Sequence, residues 1–79
     1  MIEYIVRAHN SIGGFHMEFS NERDASISVN AIKKANAALD MKDKDKYVFH
    51  GWVTRWEGYA LEDGSRVTQS ADCIRDLDF

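Results

Sequence analysis

The sequence predicts an α+β two-layer sandwich in which one helix packs on an antiparallel sheet, in the order β-β-α-β-β. A further strand is added if Glu57-Gly58 turns the chain. Three observations carry this: apolar residues alternate with polar ones near the N-terminus, a capped stretch of helical spacing follows, and alternation resumes on either side of Asp63-Gly64. The 79 residues leave room for one small domain, residues 1–79.

Ile2, Tyr4, Val6 and Ala8 alternate with Glu3, Ile5, Arg7 and His9, the pattern of a half-buried strand. Asn10 to Gly14 supplies a turn, with two glycines free to take positive φ. Phe15, Met17 and Phe19 then alternate with His16, Glu18 and Ser20, so the second strand forms a hairpin with the first. Asn21 or Ser20 caps a helix whose first turn carries Glu22 and Asp24. Its buried stripe reads Ala25, Ser28, Ile32, Ala35 and Leu39, with Ala31 and Ala38 beside it. Ile27 and Val29 fit less well, which leaves Ile27 exposed or delays the helix start to near Ser26 or Ser28. Residues 40–46, DMKDKDK, read as a return loop with Met41 tucked under the helix end.

The stretch from Tyr47 to Gln69 holds both tryptophans and two of the three tyrosines, and is the part the rest of the fold packs against. Tyr47, Phe49, Gly51 and Val53 alternate with Val48, His50, Trp52, Thr54 and Trp56. Both sets carry large apolar groups, whereas one helix covers only one face of a sheet. The surplus set, Val48 to Trp56 or its opposite, is therefore where a partner is expected. Glu57-Gly58 is a bulge or a turn, and Asp63-Gly64 signals a two-residue type I′ hairpin. The tail after Ser70 forms either a helical turn or an edge strand.

A net charge of −3 and a pI near 5.5 argue against recognition of nucleic acid by long-range attraction to phosphates. The local exception is Lys33 to Lys46, with Lys33, Lys34, Lys42, Lys44 and Lys46, interrupted by Asp40, Asp43 and Asp45. A single cysteine, Cys73, excludes an internal disulfide and points to a reducing compartment. The strand-like N-terminal pattern and the lack of a long apolar run lead to the expectation of a soluble, cytoplasmic chain.

No catalytic, cofactor or metal constellation emerges. His9, His16 and His50 fall on predicted strands, with His9 and His16 placed to face each other across the first hairpin, but their spacing is not a known ligand pattern. Cys73 among apolar neighbours reads as a small hydrophobe. The expected interaction set is Trp52, Arg55, Trp56, Glu57, Tyr59, Glu62 and Asp63, because Trp, Tyr and Arg dominate interface hot spots. Within it, Trp52 leans toward core packing and Trp56 toward exposure.

In size, acidity, absence of proline and hairpin-helix-hairpin order, the whole chain resembles small proteins encoded by phages and mobile elements, anti-CRISPR inhibitors among them. No motif carries the resemblance. It implies occlusion of a basic groove on a host complex, with carboxylates standing in for phosphates. Candidates are Glu57, Glu62, Asp63, Asp72, Asp76 and Asp78. The expectation is a non-catalytic module with a protein partner; the alternatives are a nucleic-acid binder using Lys33 to Lys46 and Arg55, and a homodimer that buries the surplus sheet face.

Overall fold

The computed structural model describes residues 1–77. It is an α+β fold with four antiparallel strands in one open sheet and two helices. Strand β1 spans Ile2–His9 and β2 Gly14–Phe19; helix α1 spans Glu22–Ala37 and α2 Met41–Tyr47; β3 spans His50–Ala60 and β4 Arg66–Asp76. The sheet order is β2-β1-β3-β4, so β1 and β3 are internal and β2 and β4 are edges.

The first hairpin closes without positive φ at Gly13 or Gly14. Asn10 does that work: its Oδ1 accepts from the amides of Ile12 (3.0 Å) and Gly13 (3.1 Å), and its own amide donates to the Gly13 carbonyl (2.9 Å). An Asn side chain that folds back on its own turn removes the need for a left-handed residue.

Helix α1 starts where its cap predicts, with Asn21 Oδ1 accepting from the Asp24 amide at 2.9 Å. The later start is thereby excluded, and Ile27 is exposed. The buried stripe is Ala25, Val29, Ile32 and Asn36, so Val29 belongs to the core, whereas Ser28 and Leu39 are half-buried and Ala35 is exposed. Spacings of four, three and four keep these residues on one side of the helix. They meet Val6 and Ala8 of β1, Val53 of β3 and Leu77, with Tyr4, Met17, Phe19 and Phe49 packed around them. Asn36 is the polar member. Its Nδ2 donates to the Phe49 carbonyl (3.0 Å) and its Oδ1 accepts from the Phe49 amide (2.8 Å), satisfying the backbone just before β3.

The stretch expected to be a loop at 40–46 is helix α2. It has no buried residue, and Met41 is 84% exposed rather than tucked under α1. The helix is held through its backbone: Ser11 Oγ donates to the Lys46 carbonyl (2.6 Å) and Asn10 Nδ2 to that of Tyr47 (3.3 Å). Tyr47 consequently ends a helix, and the third strand begins only at His50.

Glu57-Gly58 is no turn, since β3 runs through it unbroken. The register shift there, and a second at Val53/Thr54, place the extra residues on β4, at Gln69 and Ile74. The tail is thus an edge strand, continuous from Arg66 to Asp76. Between β3 and β4 the loop is three residues long, Glu62 to Gly64, bounded by the Leu61 amide donating to the Ser65 carbonyl (2.7 Å). Among the described residues only glycines have positive φ, so a type I′ turn, which needs two such residues in succession, is ruled out; Gly64 at +87° supplies the one left-handed position.

With extents of 48 × 24 × 15 Å and a radius of gyration of 14.4 Å, the chain is elongated. A compact chain of this length has a radius of gyration of about 12 Å. The 11-residue strands β3 and β4 account for this by outrunning β1 and β2.

Candidate interaction surface

The strand registers sort the side chains into two faces. Val6 pairs with Val53 and Tyr4 with Arg55, which puts all four on the face that α1 covers. Ile5 opposite Thr54 and Glu18, Arg7 opposite Trp52 and His16, and His9 opposite His50 belong to the other face. That second face carries His50, Trp52, Thr54 and Trp56, one of the two sets that the alternation left open; Val48, counted with it in the sequence, caps α2 and is not on β3. Among the described residues no helix packs on it.

At one end of this face Trp52 is 40% exposed. Around it lie the imidazole of His9, edge-on with ring centroids 6.4 Å apart, the exposed Arg7 and, across β4, Asp76. His9 faces His50, with centroids 6.3 Å apart. His9 does not face His16, contrary to the sequence reading; the register sets His16 against Arg7 and His9 against Gly14. His16 instead stands 4.0 Å from Glu18.

At the other end Trp56 is 6% exposed, which reverses the expected order of the two tryptophans. Three contacts bury it. The ring lies over Gly58, where an added Cβ would come within 2.7 Å of it. Its Nε1 donates to Thr68 Oγ1 at 2.8 Å, and the Arg66 guanidinium sits 5.0 Å above the ring. Arg66 is itself fixed by two hydrogen bonds to Glu3 (2.9 and 3.1 Å), with Glu18 at 3.8 Å. Glu3 first, and then the charge of Glu18, hold the Arg66 pKa above its ordinary value.

The remaining expected interaction residues are dispersed. Arg55 and Glu57 are on the helix-side face, paired at 3.4 Å; a hydrogen bond to Tyr4 and then Glu57 raise the Arg55 pKa. Tyr59 is exposed on the part of β3 that extends past β1, and Glu62 is at the loop tip. Asp63 folds back onto Ser65, accepting from its hydroxyl (2.6 Å) and amide (2.9 Å), which lowers its pKa below the ordinary 3.8. Asp72 and Asp76 lie on β4; Asp78 falls outside the described residues. Lys33 and Lys34 sit on α1 and Lys42, Lys44 and Lys46 on α2, the latter interleaved with Asp43 and Asp45.

Sequence reasoning missed His9 and Arg7 as neighbours of Trp52 and Arg66 as the cover of Trp56. All are cross-strand relations set by register, and no local signal carries them. Cys73 is exposed on β4, opposite Thr54, and is not the buried hydrophobe expected. Among the described residues no group of three or more His, Cys, Asp or Glu is arranged to hold a metal ion, and no helix is long and apolar enough to cross a membrane. No protein-family model, curated protein or solved structure matches the chain.

Proposed function

We propose that this chain is a non-catalytic binding module that engages a protein through its uncovered sheet face, with Trp52 as the anchor. The observation that carries the reading is a tryptophan 40% exposed on an internal strand of a sheet face that no helix covers. An exposed indole on a rigid strand offers a large apolar surface at little cost in conformational entropy, and Trp is among the commonest interface hot spots. His9, His50 and Arg7 around it add donors that would fix the register of a partner.

The concrete version is an inhibitor encoded by a mobile element that occludes a surface of a host macromolecular complex. Glu57 and Asp63 are engaged by Arg55 and Ser65, which favours occlusion through the Trp52 face over phosphate mimicry by a row of free carboxylates.

A photo-crosslinking amino acid at position 52, compared with one at the exposed position 27 on α1, tests this in extracts of the source cells. The expected result is a discrete adduct from position 52 alone, destroyed by protease and resistant to nuclease. Equal labelling from both positions, a nuclease-sensitive adduct, or only crosslinked copies of the chain itself would each sink the proposal.

A further inference from the structure

Resting on the reading of the Trp52 end as a protein-binding surface, we infer that the partner docks there with an acidic segment. A carboxylate of that segment is seated in the Arg7 guanidinium, and an apolar side chain is laid on the Trp52 indole. Arg7 and Trp52 are direct partners in the β1–β3 ladder, and both are exposed. Side chains so paired have Cβ atoms about 4.5–5.5 Å apart, within the span of one acidic residue and its neighbour in a bound chain.

Charge complementarity carries the choice of partner. The strands present two arginines on the uncovered face, and they differ in what they already bind. Arg66 is engaged by Glu3 through two hydrogen bonds, whereas the Arg7 guanidinium has no ion pair or hydrogen bond among the described residues. Its ladder neighbours are Trp52 and His16, neither of them acidic. Of the carboxylates on this face, Glu3 is taken by Arg66, and Glu18 stands 4.0 Å from His16 and 3.8 Å from Arg66. Asp76 lies beyond Trp52, two strands or about 10 Å from Arg7. A planar guanidinium matches a carboxylate with two parallel hydrogen bonds, and an apolar group seated on Trp52 shields that pair from water. A single-stranded nucleic acid would meet the same indole by stacking, but it brings a phosphate with every nucleotide and needs a track of cations. One uncommitted arginine on this face, in a chain of net charge −3, matches a short acidic segment and not a polyanion.

The test is an NMR titration of the full chain in about 0.15 M salt. The probes are a blocked peptide of Leu-Glu-Glu repeats, its isosteric Leu-Gln-Gln counterpart and a short oligodeoxythymidylate. The acidic peptide should bind saturably, shift the Arg7 Nε and Trp52 Nε1 signals, and bind about tenfold tighter than the Gln peptide. Arg7→Met should shrink that preference below about twofold, and Trp52→Ala should weaken both peptides alike. Arg23→Met, which removes an exposed cation on α1, should leave the preference unchanged. The fold of each variant is checked by the amide spectrum. No saturable binding of the acidic peptide, equal affinity for the Gln peptide, tighter binding of the oligonucleotide, or an equal loss with Arg23→Met would each overturn the inference. The crosslink from position 52 separates this failure from that of the underlying reading. A protease-sensitive adduct without a preference for the acidic peptide removes only the acidic partner, whereas a nuclease-sensitive adduct removes both.

Discussion

Trp52 and Trp56 lie on the same strand and the same face, four residues or roughly 13 Å apart, yet one is open and the other buried. Strand alternation treats them alike, and what separates them is what β4 and β1 place across from each. Opposite Trp56 stand Ala71 and Glu3, with Gly58 beneath the ring and Arg66 above it, drawn in by Glu3. Opposite Trp52 stand Arg7 and Asp76, and no cover forms. The lesson is that a sheet face without a helix can still bury an aromatic, when a long cation is tethered over it and a glycine leaves room below. One end of the face is thereby made part of the fold, and the other is left exposed.

The largest test of this contrast is truncation of each ring. Trp56→Ala should destabilise the fold by about 3–5 kcal/mol, as loss of a buried indole does, whereas Trp52→Ala should stay within about 1 kcal/mol of the parent; chemical denaturation measures both. Gly58→Ala should come next, at about 1–3 kcal/mol, because the new methyl would collide with the Val67 carbonyl and the Trp56 ring. In Trp52→Phe, which isolates Trp56, emission should be blue-shifted and poorly quenched by acrylamide. Adding Arg66→Ala should shift it to the red and raise quenching. An unchanged spectrum would mean that Arg66 is not the cover.

The smallest effect is expected at the hairpin tip. The Asp63 pKa is lowered in the fold by the Ser65 hydroxyl and amide, so its contribution is fully present above the ordinary value of 3.8 and is lost as pH falls below that value. Amide exchange at Ser65, corrected for the intrinsic pH dependence, should speed up below about pH 4, and Asp63→Asn should abolish that pH dependence.

Much of the scaffold was legible in the sequence because it is encoded locally. The alternation of Ile2 to His9, the Asn21 cap and the two-faced apolar pattern of β3 each follow from period and capping alone. Helix α2 was not, since DMKDKDK has no apolar period and the helix is fastened by Ser11 and Asn10, over 30 residues away. Asn36 was missed for a related reason. A polar residue in a helix stripe reads as a boundary until the Phe49 backbone it satisfies is known. At the candidate surface the two-sided apolar character of β3 was legible, but neither which side stays uncovered nor the ranking of the two tryptophans was, because Arg66 reaches Trp56 through a register that the extra residue Gln69 shifts.

The displaced register of β4 has a consequence for how the molecule lives at high concentration. An open sheet offers two rows of unsatisfied backbone groups, and a long flat edge strand is a template for runaway pairing between chains. Here one edge is only six residues long, and the other is broken at Gln69 and Ile74 into short runs that cannot align a straight incoming strand. The fold can therefore leave one face bare while discouraging the edge-to-edge growth that leads to fibrils.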